Sequence, residues 1–357
     1  MNRYYKTVNI NTALGRKSLG SVLVIYTGGT IGMDHDPSSG SLIPFDFERI
    51  IEQVPELKRF QFELTVLSFQ ELIDSSDVNL DHWLELSRII DDFYDEYDGF
   101  VVLHGTDTMA YTASAISFMT KNLSKPIIFT GAQLPIGASR TDARDNLIAA
   151  LEIASTQRDG KALIPEVCIY FDNLLLRGNR SKKAQNFNFT AFESANYQPL
   201  AVAGIHIDYN LSAVRKTNDK PFSTLTKLDP NVLILKIFPG ISQSYVKHVL
   251  QTPDLRGIVL ETYGSGNAPT DKWFLDLVSD AISRDIIIYN VSQCDGGSVT
   301  QGKYITSKYL GDTGVIGGSD ITSEAAVTKL MVLLGNYSDL GKVKKLLAKS
   351  LCGEITL

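Results

Sequence analysis

The chain has 357 residues and a mass of 39.3 kDa, enough for roughly two domains at about 150 residues each. Apolar residues make up 44% and charged residues 21%, ordinary globular proportions that exclude a disordered or low-complexity chain. The formal net charge of −6 argues against a nucleic-acid scaffold, which presents a basic face, and no apolar run approaches the ~20 residues of a membrane helix.

The first stretch, 1–19, is punctuated by Lys6, Arg16 and Lys17 and lacks the apolar core of a signal peptide. It reads as a short N-terminal tail on a cytoplasmic protein. Short apolar runs follow at 22–26, 64–69, 100–104, 126–130, 167–171, 232–238, 257–262 and 285–291. Most are rich in Val and Ile and bounded by Gly or Pro, the signature of strands buried on both faces of a parallel sheet. Between them, Trp83, Leu86, Ile90, Phe93 and Tyr97 recur at helical spacing, and 108–121, 142–154 and 322–334 read as helices too. Alternating strand and helix predicts α/β layers with right-handed crossovers. The stretch 208–229, with Asn, Ser, Thr, Lys and Pro and no sustained period, reads as a linker. The expected fold is therefore α/β in two domains. The larger, 20–207, carries a parallel sheet of flavodoxin- or Rossmann-like type; the smaller α/β domain is 230–357.

In such sheets ligands bind beyond the C-terminal ends of the strands. The first strand is followed by TGGTIGM (27–33), where paired glycines allow a tight turn and close approach to a ligand; a turn-rich segment, 36–40, follows. Neither phosphate-loop pattern fits. The second is followed by Asp74-Ser75-Ser76-Asp77. This reads as a helix cap, or as a polar cradle in which hydroxyls and amides hold a carboxylate and Asp74 or Asp77 an ammonium. After the third comes HGTDT (104–108). A threonine hydroxyl is a poor nucleophile until a base takes its proton. His104 is a base by type, but its place at the end of a buried strand reads as a hydrogen-bonded core histidine. TGAQLP (130–135) and RGNRSKK (177–183) follow the next two strands. A lysine from the latter, buried beside Asp107, would be positioned to relay protons for a threonine.

Cys168, Cys294 and Cys352 show no CxxC spacing, and the five histidines show no metal-ligand spacing. Neither GxSxG nor HExxH occurs. Neither a disulfide framework nor a zinc site is suggested.

Taken together and in this order, TGGTIGM (27–33), DSSD (74–77), HGTDT (104–108), TGAQLP (130–135), RGNRSKK (177–183) and YGSGNAP (263–269) resemble the L-asparaginases. The likeness is greatest to the cytoplasmic type I branch, which SDITSEA (319–325) also resembles. The resemblance implies hydrolysis of L-asparagine to L-aspartate and ammonia without metal or cofactor. It also implies a homodimer or dimer of dimers, with no nucleic-acid or membrane partner. It assigns the nucleophile to Thr30 and a relay to Thr106, Asp107 and Lys183. Substrate contacts fall to Gly29, Asp74, Ser75, Thr106, Asp107, Ala132 and Tyr304, with Asn267 supplied by a neighbouring subunit.

Two departures from the family pattern stand out. Where many relatives carry a tyrosine in the mobile loop, this chain has Leu42, which leaves the base for Thr30 unassigned; Tyr304 resembles a C-terminal tyrosine of some type I members. At an allosteric asparagine site of some bacterial type I enzymes, the effector-reading arginine is replaced here by Glu261 and the threonine before the catalytic lysine by Lys182, while Cys294 is retained. A glutamate repels the effector's carboxylate, so this regulation is expected to be weak or absent. Competing readings are a non-catalytic amino-acid sensor and the asparaginase-like subunit of a glutamyl-tRNA amidotransferase. The second carries an extra N-terminal domain, and the roughly twenty residues before the first strand argue against it.

Overall fold

A computed structural model describes residues 5–11, 18, 20–35, 42–44, 50, 54–302 and 305–356. By internal contacts the chain divides into two units, Met1–Ser194 with Gln198–Thr224, and Ala195–Tyr197 with Leu225–Leu357.

The first unit is built on a nine-stranded sheet. Its strands are β1 (Tyr5–Asn11), β2 (Ser21–Tyr26), β3 (Glu63–Phe69), β4 (Gly99–Leu103), β5 (Ile127–Thr130), β6 (Val167–Phe171), β7 (Leu174–Arg177), β8 (Ala201–Ala203) and β9 (Ile207–Tyr209). The spatial order is β1-β3-β2-β4-β5-β6-β7-β8-β9. The central run β3-β2-β4-β5-β6 is parallel, as the continuous apolar runs predict: β4 and β6 are buried at every position. Both flanks are antiparallel, which the sequence reading did not anticipate.

The tail reading of 1–19 is corrected over Tyr5–Asn11, which pairs along its whole length with Glu63–Phe69. Val8 lies opposite Val66, Tyr5 contacts the Phe69 ring and Ile10 is buried. These apolar anchors are too few to stand out as a strand in a polar stretch. The linker reading of 208–229 is corrected as well. Asp208 and Tyr209 complete β9, and Ser223–Thr224 pairs with Thr120–Lys121. Phe222 stacks on Tyr94 with ring centroids 3.6 Å apart, so strand pairing and an aromatic contact together fasten a segment whose composition signals a loop.

Helices α1 (Leu80–Asp92), α2 (Met109–Met119) and α3 (Ala143–Ser155) belong to this unit. Asn79 and His82 form a reciprocal cap at the start of α1, and the helix buries Trp83, Leu86, Ile89 and Ile90. It stops at Asp92, so Phe93 and Tyr97 continue the apolar spacing beyond its end. All of α2 but Tyr111 is buried, and α3 packs on β2, β4, β5 and β6.

The second unit carries a parallel sheet, β10 (Val232–Lys236), β11 (Gly257–Thr262), β12 (Ile287–Ser292) and β13 (Ile316–Gly317), in that order. Helices α4 (Gln243–Leu250), α5 (Lys272–Ser283), α6 (Ile305–Asp312), α7 (Ser323–Asn336) and α8 (Leu340–Leu347) accompany it. Its core includes Leu235, Ile258, Leu260, Phe274, Val278 and Ile288. Lys329 and Glu354 form a fully buried pair at 2.6 Å. The remaining Lys329 donors bond the carbonyls of Leu347 and Lys349, and Glu354 accepts from the amides of Leu351 and Cys352. Among the described residues no helix is long and apolar enough to cross a membrane.

Candidate active site

Three loops at the C-terminal ends of adjacent parallel strands meet through glycine. After β2, Gly28 and Gly29 take φ values of 141° and 87°, and Thr30–Gly32 forms a 3-10 turn closed by a 2.7 Å bond from the Tyr26 hydroxyl to the Gly32 carbonyl. A Cβ on Gly29 would stand 2.6 Å from the Cα of Gly105, and one on Gly105 would stand 2.6 Å from the Ser75 Oγ. The backbones carrying Thr30, Ser75 and Thr106 are therefore in contact, at separations only glycine permits. Gly131 brings in the loop after β5: its Cβ would lie 2.6 Å from the His104 carbonyl and 3.4 Å from the Thr106 Cγ2. Buried Ala132 follows at once. Thr30 makes no side-chain hydrogen bond with another described residue.

Lys183 is delivered by a short antiparallel pairing of Lys182–Lys183 with Phe192–Glu193, anchored by buried Phe192 against the Phe171 ring. Its Nζ donates to the Thr106 Oγ1 at 2.7 Å and to the Asp107 Oδ1 at 2.6 Å. Lys183 is 15% exposed and Asp107 65%. An ammonium has donors only, so the Thr106 oxygen accepts and its own proton is free to point away from the lysine. Once the lysine loses a proton the direction can reverse. This hydroxyl–lysine–carboxylate group is thus able to pass a proton.

His104 is a core residue. A carbonyl only accepts, so the 2.7 Å contact between its Nδ1 and the Gly105 carbonyl places the proton on Nδ1. Burial holds the ring neutral, with its pKa down at about 4. Nε2 therefore accepts from the Thr112 hydroxyl at 3.1 Å, and Thr112 in turn accepts from the Trp83 Nε1 at 3.0 Å. The chain Trp83–Thr112–His104 ends on the Gly105 carbonyl and fixes the peptide that leads into Thr106.

Asp74 serves as a cap. Its carboxylate accepts from the Ser76 amide and hydroxyl, both at 2.9 Å, and these bonds hold it below its ordinary pKa. Ser75 is buried, and its carbonyl accepts from the Thr108 hydroxyl at 2.7 Å. Asp142 and Asn146, which sequence reasoning missed, brace the Ala132 loop. Asp142 accepts from the amides of Gln133 and Leu134, at 2.9 and 3.1 Å, while burial pushes its carboxyl above the ordinary value. Asn146 donates to the Gly131 carbonyl at 3.0 Å and accepts from the Asp172 amide at 3.2 Å. Their i, i+4 spacing in TDARDN (141–146) was the available signal.

Asn267 lies in the second unit, in a turn closed by two backbone bonds with Tyr263 of 2.9 Å each. Glu261 in β11 accepts from the Ser323 hydroxyl at 2.5 Å, with the Lys236 ammonium 3.8 Å away. Cys294 is exposed, as is Lys182. Leu42 pairs through its backbone with His35. Tyr304, the turn at 36–40 and the Leu42 side chain lie outside the described residues. Among the described residues no group of His, Cys, Asp and Glu side chains is arranged to hold a metal ion.

Fold and site define a two-unit α/β enzyme with a hydroxyl–lysine–carboxylate group at the ends of parallel strands. Residues 21–215 match the family described as asparaginase, N-terminal, and residues 231–347 the glutaminase/asparaginase C-terminal domain. The chain belongs to the asparaginase family of amidohydrolases. It is 40% identical to L-asparaginase 1 of Escherichia coli (strain K12) over 344 residues, covering 94% of this chain and 98% of that protein. It is also 40% identical to the 60 kDa lysophospholipase of Mus musculus, covering 94% of this chain but 62% of the mouse protein. The crystal structure of L-asparaginase I from Vibrio cholerae superposes with a TM-score of 0.86 at 38% identity, over 95% of this chain and 99% of that one.

Proposed function

We propose that the protein hydrolyses L-asparagine to L-aspartate and ammonia by a two-step acyl transfer. The Thr30 Oγ attacks the side-chain amide carbon, the C–N bond breaks, and the threonine proton leaves with the nitrogen as ammonia. A β-aspartyl ester of Thr30 remains. Water attacks this ester, releases L-aspartate and returns the proton to Thr30. The observation that carries the reading is the bonding of Lys183 to both Thr106 and Asp107, on a loop whose Gly105 contacts Gly29 next to Thr30.

Each group then has a part. Thr106, Lys183 and Asp107 exchange protons with the reacting atoms, Thr106 being the member that faces them. His104 is not the base, since both its nitrogens are engaged and burial, which holds its pKa down at about 4, makes the ring too weak a proton acceptor. Backbone amides near Thr106 and Ala132 hold the oxyanion, a contribution of about 3 kcal/mol per donor in such sites. Ser75 and neighbouring amides hold the α-carboxylate. Asp107, with Asn267 of a neighbouring subunit in a homodimer or dimer of dimers, holds the α-ammonium. L-Glutamine is one methylene longer, a difference worth only ~1–3 kcal/mol, so the site discriminates against it by that margin alone. The reaction takes place in the cytoplasm.

Ammonia release from L-asparagine, with L-glutamine alongside, tests this in the wild type and Thr30→Ala. Release that vanishes in the folded variant supports the reading. A folded wild type that binds L-asparagine without releasing ammonia replaces it with a sensor.

A further inference from the structure

The candidate active site occupies one end of the parallel strands. At the other end, the segments entering β4, β5 and β6 border a cavity of about 500 Å³, within the size range of small-ligand sites. It lies wholly within the first unit. Its ionisable lining is Lys125, Lys161, Arg215 and Lys216 against Asp98 and Asp219. That is an excess of cations on a chain whose net charge is −6.

The groups nearest the strands are already committed. Asp98 accepts from the Ser21 amide and hydroxyl, at 2.8 and 3.3 Å. Lys125 donates to the carbonyls of Tyr94 and Tyr97, the latter at 2.7 Å, and lies over the Tyr94 ring. Lys161 and Lys216, by contrast, form no ion pair with a described residue. Both stand on braced backbone. Lys161 follows a tight Asp159–Gly160 turn with φ values of 53° and 71°, closed by pairing of Arg158 with Lys161. The segment bearing Lys216 is held from beneath by a buried ion pair. Arg177 and Glu166, 3% and 2% exposed, meet at 2.6 Å. Arg177 also donates to the Ala213 carbonyl at 2.9 Å, and Glu166 accepts from the Arg215 amide at 2.6 Å. A buried pair that spends its remaining bonds on two backbone groups of a surface segment fixes where that segment presents its cations.

We propose that this cavity is a second small-molecule site, for a compact organic anion with two or more negative charges that bridges Lys161 and Lys216. An apolar ligand would strip water from the two ammonium groups and return nothing. A single carboxylate would neutralise only one. The hydroxyl of Thr217 and the amide of Gln157, which also line the cavity, supply neutral hydrogen bonds. Phosphate-bearing and polycarboxylate compounds share this chemistry.

Isothermal titration of the wild type with pyrophosphate and, separately, with citrate, at one low ionic strength common to both probes and again with added salt, tests the proposal. It predicts saturable binding of one molecule per chain by at least one probe, weakening as salt screens the charges. Binding of pyrophosphate alone identifies a phosphate-bearing ligand, and binding of citrate alone a polycarboxylate. The double variant Lys161→Glu, Lys216→Glu should bind at least ten-fold more weakly, with its melting temperature and its turnover of L-asparagine unchanged. No saturable binding by either probe overturns the proposal, as does binding that survives in the double variant.

Discussion

His104 ends a buried strand, and its two ring nitrogens bond the Gly105 carbonyl and the Thr112 hydroxyl. Its pKa lies at about 4 when folded, against 6.5 as the ordinary value, because burial disfavours the charged ring. As pH falls through 6.5 the unfolded chain takes up a proton that the folded chain refuses until about pH 4. The stability this residue confers is therefore complete above pH 6.5 and is lost progressively below it, by about 3 kcal/mol at pH 4. Denaturant unfolding between pH 7 and 4 should fall more steeply for the wild type than for His104→Gln; equal slopes would refute the neutral, buried assignment. Lys183 presents the opposite case. Its partner Asp107 is 65% exposed, so their pair adds at most about 1 kcal/mol to stability. Loss of a proton-transfer group typically costs 10²- to 10⁴-fold in rate, as an order-of-magnitude figure. Lys183→Met should therefore melt near the wild type while its kcat on L-asparagine falls by about that factor.

The elements converge because glycine lets three loops touch. Gly105→Ala would set a Cβ 2.6 Å from both the Cβ and Oγ of Ser75. Such overpacking costs about 1–3 kcal/mol, and adding Ser75→Gly, which removes the opposing atoms, should recover part of the lost melting temperature. No recovery would place the strain elsewhere. The parallel strands and their polar ends were legible because buried β-branched runs and glycine-rich turns leave strong local patterns. HGTDT and TGGTIGM could be placed at strand ends on that ground alone. The antiparallel flanks were not, because β8 and β9 are three residues each and carry no period. Nor was the strand at Tyr5–Asn11, whose order depends on a partner more than fifty residues away. The Asp142 and Asn146 braces leave only the faint i, i+4 spacing in TDARDN. The Trp83–Thr112–His104 chain leaves none, because hydrogen bonds between distant polar residues impose no spacing on the sequence. Asp74 shows the converse: its residue type fits cap and cradle alike, and the structure gives its carboxylate to Ser76.

At the scale of the whole molecule, the two units contribute differently to the account. Every residue of the Thr106–Lys183–Asp107 group and of the touching loops belongs to the first unit. The second holds Asn267 and Glu261, and its helix α7 is tied to the C-terminal segment by the buried Lys329–Glu354 pair. Glu261 presents a carboxylate already bonded by Ser323, where an arginine would be needed to receive the carboxylate of an effector. Initial rates against L-asparagine should therefore follow a hyperbola, and clear sigmoidicity would show that a second asparagine acts on the enzyme. The central claim is the ester on Thr30. The most direct measurement is intact-protein and peptide mass spectrometry of Lys183→Met quenched in acid during turnover of L-asparagine. The account predicts added mass equal to one β-aspartyl group, confined to the peptide containing Thr30 and absent from the Thr30→Ala, Lys183→Met double variant. An adduct on another residue, or one that persists in the double variant, would contradict it.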